Sequence, residues 1–369
     1  PVADQDYTGK QIAPKVTVND TETGKLLVEN VDYTLTYGDN IVVGEDKGSI
    51  TITGMGNYDT ETNRTVTFNI TNTGSFTITL TTQMAVYTGG DITNTFTVYA
   101  NGMTKLTEGT DYELYEGETK LDGTKYSKKN VGTHTVTVKG IGGYAKKDDS
   151  WADTETSWTI TQATKTVDFG VETKRVIYGT ANNTYNDVTA ALSGNLGTDT
   201  LAALKYTSSV SDVAEVDPST GAVTILKVGT TTITATSENE LNYAEAKDSY
   251  TLEVTAQDIA GTAITVADIT APTYNGGEQK KEPTVTDTNR NNTELVKDTD
   301  YTLSWSNHVN AGTATVTIIG KGNYNGTTTK EFTINPKSMA DSVTTITVGP
   351  VADQDYTGKQ ITPKVTVND

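Results

Sequence analysis

The 369-residue sequence contains no cysteine and only two histidines, His134 and His308. The absence of cysteine excludes a disulfide scaffold. With two histidines far apart in the sequence, neither a zinc site nor a nucleophile–histidine pair is expected. No run of about eighteen apolar residues is present, so no membrane-spanning helix is expected. No signal peptide begins the sequence, and we expect export and anchoring to be encoded outside this segment.

The sequence also lacks the residue patterns that are typical of a catalytic site. His134 is in phase with Val136 and Val138, so it is expected to point inward and to bond a nearby backbone group. His308 lies in a polar stretch and is expected to be solvated. No glycine-rich phosphate loop follows a strand and opens a helix, and the many carboxylates are interpreted as solvated surface. We therefore expect neither catalytic activity nor a cofactor.

Positive charge is in short supply. The chain has 47 acidic and 28 basic residues, for a formal net charge of −19. Such a surface repels nucleic acid and anionic membranes, so neither is an expected partner. The acidity is interpreted as a source of solubility and of self-repulsion along the chain.

The sequence is rich in the residues of strands and turns. Threonine and glycine are abundant, there are 19 tyrosines, and apolar residues alternate with polar ones, as where Val136 and Val138 flank Thr137. A period of two places the apolar side chains on one face of a strand. Asn101-Gly102 lies between two such runs and predicts a tight hairpin turn. The pattern predicts an all-β chain of sandwiches built from short strands.

A long repeat joins the two ends of the sequence. Pro1–Asp20 returns as Pro350–Asp369 with one difference, Ala13 against Thr362, at an offset of 349 residues. We expect the parent protein to repeat a unit of that length. A window cut from a continuous array explains both ends. A strand donated between chains is the alternative, but both ends carry the same following strand, and these two copies would compete for one position.

A shorter pattern recurs inside that unit. Each copy opens on Tyr-x-Gly, continues with Asp-Tyr-x-Leu, and closes an alternating strand on a glycine turn followed by tyrosine. We interpret most of these tyrosines as core or corner residues whose hydroxyls bond nearby backbone groups. The opening tyrosines are Tyr7, Tyr87, Tyr274 and Tyr356, and the closing ones are Tyr58, Tyr144 and Tyr324.

The closing strands of this pattern predict five modules. Module 1 is expected to lack its first strand, and module 5 to hold only the first strands of the next repeat. The predicted ranges are 1–72 for module 1, 73–162 for module 2, 163–256 for module 3, 257–338 for module 4 and 339–369 for module 5.

Module 3 departs from the pattern of its neighbours. Its segments Ser208–Asp217, Ser219–Thr224, Gly229–Thr236 and Tyr250–Val254 closely resemble the bacterial Ig-like domain family, group 2. The flanking modules resemble repeats in large surface proteins of Gram-positive bacteria. These resemblances imply tandem immunoglobulin-like β-sandwich modules in an extended array at the bacterial cell surface or outside the cell. They carry over no catalytic residues.

Two functions are compatible with such an array. The first is a stalk or fibre that spaces other domains, with neighbouring modules, and further copies in a fibre, as partners. The alternative is an adhesin whose loops bind a host glycan or protein, for which Trp151, in a polar insertion, is the candidate ligand contact. Calcium at a module boundary is the metal hypothesis, although no calcium-loop spacing is present. Its candidate ligands are Asp4 and Asp6, or Asp148, Asp149 and Asp153.

Overall fold

The computed structural model describes residues 1–58, 61–123, 125–146, 150–339 and 347–368. Strands dominate this part of the chain, and its helices are three 3₁₀ turns, at Gly142–Tyr144, Thr180–Asn183 and Thr288–Arg290. In the described residues no helix is both long and apolar enough to cross a membrane. The predicted all-β fold class is confirmed.

The strands show the alternation that the sequence predicts. In the strand Gly312–Gly320, Ala314, Val316 and Ile318 are fully buried, and the residues between them are half-buried. Successive side chains of a strand point to opposite faces, so one face joins the core. Burial of this face supplies the main force that holds each sandwich together.

Module 1 forms a four-stranded sheet. Its apolar core contains Ile12, Ile50, Phe68 and Ile70. The strand Gln5–Asp6 runs parallel to its neighbour Asn63–Thr71, and the other neighbouring pairs are antiparallel. In order across the sheet, the strands are Gln5–Asp6, Asn63–Thr71, Gly44–Gly54 and Tyr33–Tyr37.

Module 2 contains two sheets around a core that includes Val98, Val136 and Trp158. The first sheet has the order Thr119–Lys120, Tyr112–Glu116, Gly132–Gly140, Thr154–Thr161 and Met84–Val86. The second has the order Lys125–Lys128, Ile92–Ala100 and Phe76–Leu80, with Thr104–Lys105 also paired to Ile92–Ala100. This is the sandwich arrangement in which inward-facing side chains from both sheets interdigitate.

The predicted hairpin at Asn101-Gly102 is confirmed. Strand Ile92–Ala100 turns back antiparallel into Thr104–Lys105, and the N–H of Met103 donates to the carbonyl of Ala100 at 3.0 Å. Asn101 and Gly102 have φ of 51° and 72°. Two successive left-handed residues make the turn whose twist matches the flanking strands, which explains the Asn-Gly pair.

Module 3 has two sheets, and Phe169 packs edge-on against Tyr250 in its core, with 4.9 Å between ring centroids. The larger sheet has the order Thr173–Ile177, Ala246–Thr255, Gly229–Ser237 and Leu204–Ser208. The smaller has the order Thr184–Tyr185, Val223–Ile225 and Ala214–Val216. Two further short strands span Thr166–Asp168 and Ala191–Ser193.

Module 4 repeats this plan, with Ala314, Phe332 and Ile334 in its core. One sheet has the order Ile264–Val266, Val285–Asp287 and Thr293–Glu294, and the other has Tyr301–Ser306, Gly312–Gly320 and Thr327–Ile334. The short strands Gln257–Asp258 and Tyr324–Asn325 pair in parallel. The chain is thus a series of immunoglobulin-like β-sandwich modules.

In module 5, Thr347–Val348 pairs antiparallel with Val367–Asn368. The strand predicted before Pro350 begins at Ser342, and its first five residues, 342–346, lie outside the described residues.

The chain divides into two compact units. The first contains residues 1–166, 193–202 and 238–246, and the second contains residues 167–192, 203–237 and 247–369. Two segments of module 3, 193–202 and 238–246, therefore belong with modules 1 and 2. The predicted module boundaries stay predictions.

Candidate interaction site at the module junctions

Trp151, the candidate ligand contact, lies in the core. Its side chain is fully buried, and its backbone N–H donates to the carbonyl of Gly74 at 3.0 Å. Its ring packs against Phe76 at 5.1 Å and edge-on against Tyr144 at 4.8 Å, between centroids. Contact with a ligand would require this ring to leave the core.

Of the acidic residues proposed for calcium, Asp6 has partners within its own module. Asp6 Oδ1 accepts hydrogen bonds from the hydroxyls of Thr71 and Thr73, at 2.8 and 2.5 Å. Across the described residues, no group of three or more His, Cys, Asp or Glu side chains is arranged to hold a metal ion. Asp148 and Asp149 lie outside the described residues, and calcium binding stays a prediction.

The two histidines differ from each other. Nε2 of His134 lies 3.1 Å from the carbonyl oxygen of Asn130, which confirms the predicted backbone partner. The prediction that His308 is solvated was wrong, because its side chain is only 16% exposed and Nε2 lies 3.3 Å from Glu278 Oε1. The loop after Glu278 folds over it, and the N–H of Gln279 donates to the carbonyl of His308 at 2.7 Å.

Tyrosine pairs connect successive modules, and we call each pair with its surrounding hydrogen bonds a junction. In the first unit, Tyr87 of module 2 and Tyr243 of module 3 meet edge-to-face, with 5.6 Å between centroids and 78° between planes. Both are buried, at 2% and 3% exposure. Buried aromatic pairs in this geometry contribute about 0.5–1.5 kcal/mol beyond the area they bury.

A single carboxylate binds both tyrosines of this junction. Oδ2 of Asp199 accepts the hydroxyl of Tyr87 at 2.6 Å and that of Tyr243 at 2.9 Å. These hydrogen bonds, the one from Tyr87 first, lower the pKa of Asp199. The same bond, followed by burial, raises the pKa of Tyr87 to about 12. The junction is stable when the carboxylate is ionised and the phenols are neutral.

Asn242, next to Tyr243, connects the two modules through hydrogen bonds. Its Oδ1 accepts the backbone N–H of Val131 at 3.0 Å, and its Nδ2 donates to Oδ1 of Asn130 at 3.2 Å. Its carbonyl accepts the N–H of Ala163 at 2.9 Å. The residue therefore bonds module 2 and also Ala163, the first residue of module 3.

The second unit contains a junction of the same design. Tyr178 of module 3 and Tyr324 of module 4 meet edge-to-face, with 5.7 Å between centroids and 86° between planes. The residue before Tyr324, Asn323, accepts the backbone N–H of Val228 on Oδ1 at 2.8 Å and that of Gln257 on its carbonyl at 3.0 Å. Asn323 thus repeats two of the three contacts of Asn242, those of its side-chain oxygen and of its backbone carbonyl.

Charged side chains surround the pair in the second unit. The hydroxyl of Tyr324 donates to Oδ2 of Asp287 at 2.9 Å, and burial raises its pKa. Arg290 donates to the same hydroxyl at 3.2 Å and lies over the Tyr178 ring, 5.1 Å from its centroid. The cation and the carboxylate compensate each other at a site from which water is largely excluded.

The third junction uses glycine in place of asparagine. Tyr7 of module 1 meets Tyr144 of module 2 with 5.0 Å between centroids and 66° between planes. The preceding residue, Gly143, lies so close to Tyr7 that an added Cβ would be 1.9 Å from its ring. Asn72, in the linker, donates from Nδ2 to the carbonyl of Ala145 at 2.8 Å. Close approach of the backbone replaces the asparagine contacts here.

The sequence motifs found most of these tyrosines but not their pairing. The opening tyrosine of one module contacts the closing tyrosine of the next. The expected backbone partners for the hydroxyls were wrong at Tyr87 and Tyr324, which bond aspartates instead. Tyr243, which also bonds an aspartate, was missed by the motifs. Tyr178-Gly179 was missed because it lacks the middle residue of Tyr-x-Gly. The signal that could have found the pairs is the recurrence, in consecutive modules, of the opening Tyr-x-Gly and of the closing glycine turn followed by tyrosine.

The chain matches no protein-family model and no curated protein. Among solved structures it is similar to Sidekick-1 immunoglobulin domains 1–5, at 13% identity over 90% of this chain and 79% of that one, with a TM-score of 0.32. It is similar to surface layer protein SbsC, domains 4–9, at 16% identity over 100% of this chain and 69% of that one, with a TM-score of 0.27. Drosophila N-cadherin EC1–4 matches at 11% identity over 91% of this chain and 100% of that one, with a TM-score of 0.23.

Proposed function

We propose that this chain is a structural repeat segment, a stalk or fibre, of a bacterial cell-surface or secreted protein. It spaces other domains, has no catalytic activity and needs no cofactor. The observation that carries the proposal is the set of three junctions, each closed by a tyrosine pair. Domains joined by flexible linkers move freely, whereas a buried, hydrogen-bonded interface holds neighbours in one arrangement.

The sequence supports the same role and the proposed location. Module 3 resembles the bacterial Ig-like family, group 2, and modules 1, 2 and 4 resemble repeats of Gram-positive surface proteins. A chain without cysteine has no thiol to oxidise outside the cell. Its net charge of −19 favours solubility and opposes collapse of one module onto another.

The stiffness of one junction tests the spacer role. Spin labels on cysteines introduced at Val210 and Val296, which are 41% and 59% exposed, report on the arrangement of modules 3 and 4. Because the natural chain has no cysteine, only these two sites are labelled. We expect a narrow distance distribution in the labelled chain and a broad one after Tyr324→Ala.

Two further variants separate the junction from the module. Ile318→Val changes the core of module 4 away from the junction and should leave the distribution narrow. Asn323→Ala removes the bond to Val228 without a change in that core and should broaden it. A distribution in the natural background as broad as that of Tyr324→Ala would overturn the spacer role.

A further inference from the structure

Module 4 carries an opening tyrosine, Tyr274, whose equivalents in modules 1 and 2, Tyr7 and Tyr87, are each paired with a tyrosine of the next module. The N–H of Tyr274 donates to the carbonyl of Asn335 at 2.8 Å, directly after the closing strand of module 4. The N–H of Tyr87 donates to the carbonyl of Thr161 at 2.9 Å, at the same place in module 2. Tyr87 is buried against its partner, whereas Tyr274 is only half-buried.

Beside Tyr274 lies a cavity of about 370 Å³, lined by Asn310 and Ala311 and also by residues that follow the closing strand, Pro336, Lys337, Met339 and Val367. These two residues precede the strand that begins at Gly312, as Asn130 and Val131 precede Gly132. Gly312 pairs with Ile334 of its closing strand, as Gly132 pairs with Ile160. Asn130 and Val131 are the groups that bind Asn242. The end of module 4 therefore presents one complete half of a junction.

Module 1 carries the opposite half, on the turn before Tyr58. The N–H of Tyr58 donates to the carbonyl of Met55 at 3.0 Å, and Gly56 has φ of 60°. In module 4, the N–H of Tyr324 donates to the carbonyl of Lys321 at 3.1 Å, and φ of Gly322 is 66°. Tyr324 is 2% exposed in its junction, but Tyr58 is half-buried and the preceding Asn57 is exposed.

The hydroxyl of Tyr58 is also held as in a junction. It lies 3.4 Å from Oδ2 of Asp20, as the hydroxyl of Tyr324 lies 2.9 Å from Oδ2 of Asp287. Asp20 is the second residue after Val18, whose carbonyl accepts the N–H of Leu27. Asp287 is likewise the second residue after Val285, whose carbonyl accepts the N–H of Leu295, so the two aspartates are equivalent. The Tyr58 turn thus has the side chains of a junction half.

We infer that the Tyr274 end of one repeat binds the Tyr58 turn of the next repeat, head to tail. In this contact Tyr58 packs edge-on against Tyr274, Asn57 Oδ1 accepts the N–H of Ala311, and Asn57 Nδ2 donates to Asn310. The interface joins two different surfaces, so it continues along an array of repeats rather than closing a symmetric dimer, and separate copies of this chain carry both surfaces.

The order of sequences identifies the occupant. Residues 350–369, which follow module 4, repeat residues 1–20 with one substitution. The sequence that comes after a module 4 is therefore that of a module 1, and the closing turn of a module 1 is the Tyr58 turn. The junctions in both units already show how such a turn fits an opening tyrosine.

Sedimentation velocity of the full chain tests the inference. Protein concentrations up to about 1 mM allow a contact with a dissociation constant in the millimolar range to be detected. Salt at about 0.5 M screens the electrostatic repulsion between the acidic copies. We expect concentration-dependent oligomers, and an affinity at least about tenfold weaker after Tyr58→Ala or Tyr274→Ala. An equal mixture of these two variants retains one intact pair of surfaces, so it should form dimers and nothing larger.

Cysteine capture gives a second readout that does not depend on the tyrosine variants. Asn57→Cys and Asn310→Cys, both at exposed positions, are placed in separate full chains and mixed under mild oxidation. Asn130→Cys with Asn242→Cys, in one chain, is the positive control, because these side chains already bond. Asn57→Cys mixed with Met103→Cys, at an 83% exposed site, measures random collision.

The outcomes separate clearly. Capture of Asn57→Cys by Asn310→Cys well above the Met103→Cys background, with dimers alone in the tyrosine mixture, supports the head-to-tail contact. A monomeric chain at every concentration with capture at background overturns it, as does a single tyrosine variant that still forms long oligomers. Either failure leaves the proposed spacer role untouched, because that role rests on the junctions inside the chain.

Discussion

The hydroxyl of Tyr87 lies 2.6 Å from Oδ2 of Asp199 and donates its hydrogen to it. The bond joins module 2 to a loop of module 3 across more than a hundred residues of sequence. It requires a protonated phenol and an ionised carboxylate, so it raises the pKa of Tyr87 to about 12 and lowers that of Asp199. The junction is therefore coupled to pH on both sides of neutrality.

We predict that the chain loses stability as pH rises from about 10 to about 12. The pKa values of Tyr87, Tyr112, Tyr144 and Tyr185 are raised to about 12, mainly by burial except at Tyr87. Since the unfolded phenols ionise near pH 10, the unfolded chain releases protons that the folded chain retains. Chemical denaturation at fixed pH values should show full stability from neutral pH to about pH 10. Unchanged stability at pH 12 would contradict this.

Asp199→Asn should lower the pKa of Tyr87, and that of Tyr243, which bonds the same oxygen. The substitution replaces the charged acceptor of the hydrogen bond that is the first cause of the Tyr87 shift with a neutral one. NMR titration of carbon-13-labelled tyrosine rings measures each phenol separately. Tyr144, whose pKa is raised by burial, is the internal control and should not move. Equal shifts at Tyr87 and Tyr144 would show a general loosening of the fold instead.

Gly143→Ala should disrupt the junction between modules 1 and 2. The new Cβ would lie 1.9 Å from the ring of Tyr7, so the ring or the turn must move, at a cost of about 1–3 kcal/mol. Gly90→Ala is the matched control, because a Cβ there has no atom within 4 Å. Hydrogen exchange of the Tyr7 amide, which donates to Thr71 at 2.9 Å, reports the local effect.

The double variant Gly143→Ala with Tyr7→Ala tests the stated cause. If the ring of Tyr7 is what the new methyl meets, its removal should make Gly143→Ala nearly neutral in the Tyr7→Ala background. A cost for Gly143→Ala that is the same in both backgrounds would locate the strain in the turn itself.

Trp151→Ala should destabilise module 2 by about 3–5 kcal/mol, because it leaves a large cavity beside Phe76 and Tyr144. The denaturant midpoint measures the loss, and Trp151→Phe, which keeps most of the packing, is the control. A variant that keeps Trp151 and replaces the other two tryptophans with phenylalanine tests the burial directly. Acrylamide should fail to quench the fluorescence of Trp151 in this variant. Efficient quenching would place the ring in solvent.

The strands and the hairpin could be predicted from sequence because they depend on local rules. A period of two fixes which residues of Gly312–Gly320 are buried, and the φ values of Asn101-Gly102 follow from a two-residue turn. Trp151 shows where such rules fail. Its neighbours are polar, which suggests an exposed loop, but the chain returns to the core at this one residue.

The junctions could not be predicted because they depend on distant contacts. Nothing near Tyr87 in sequence indicates that its hydroxyl partner is Asp199, since the approach of the module 3 loop depends on how both modules fold. A nearby backbone acceptor was the local expectation. A buried phenol beside an ionised carboxylate forms the stronger, charge-assisted bond instead.

Asn242→Ala should weaken the junction between modules 2 and 3, whereas Asn57→Ala, at the equivalent position of module 1, should be neutral in dilute solution. Without Asn242, the N–H of Val131 has lost its acceptor, at a cost of about 1–3 kcal/mol for a group shielded from water. Hydrogen exchange should become faster at Val131 and remain unchanged in the Asn57→Ala protein. Unchanged exchange at Val131 after Asn242→Ala would show that water replaces the side chain without loss and that the asparagine bonds do not hold the modules together.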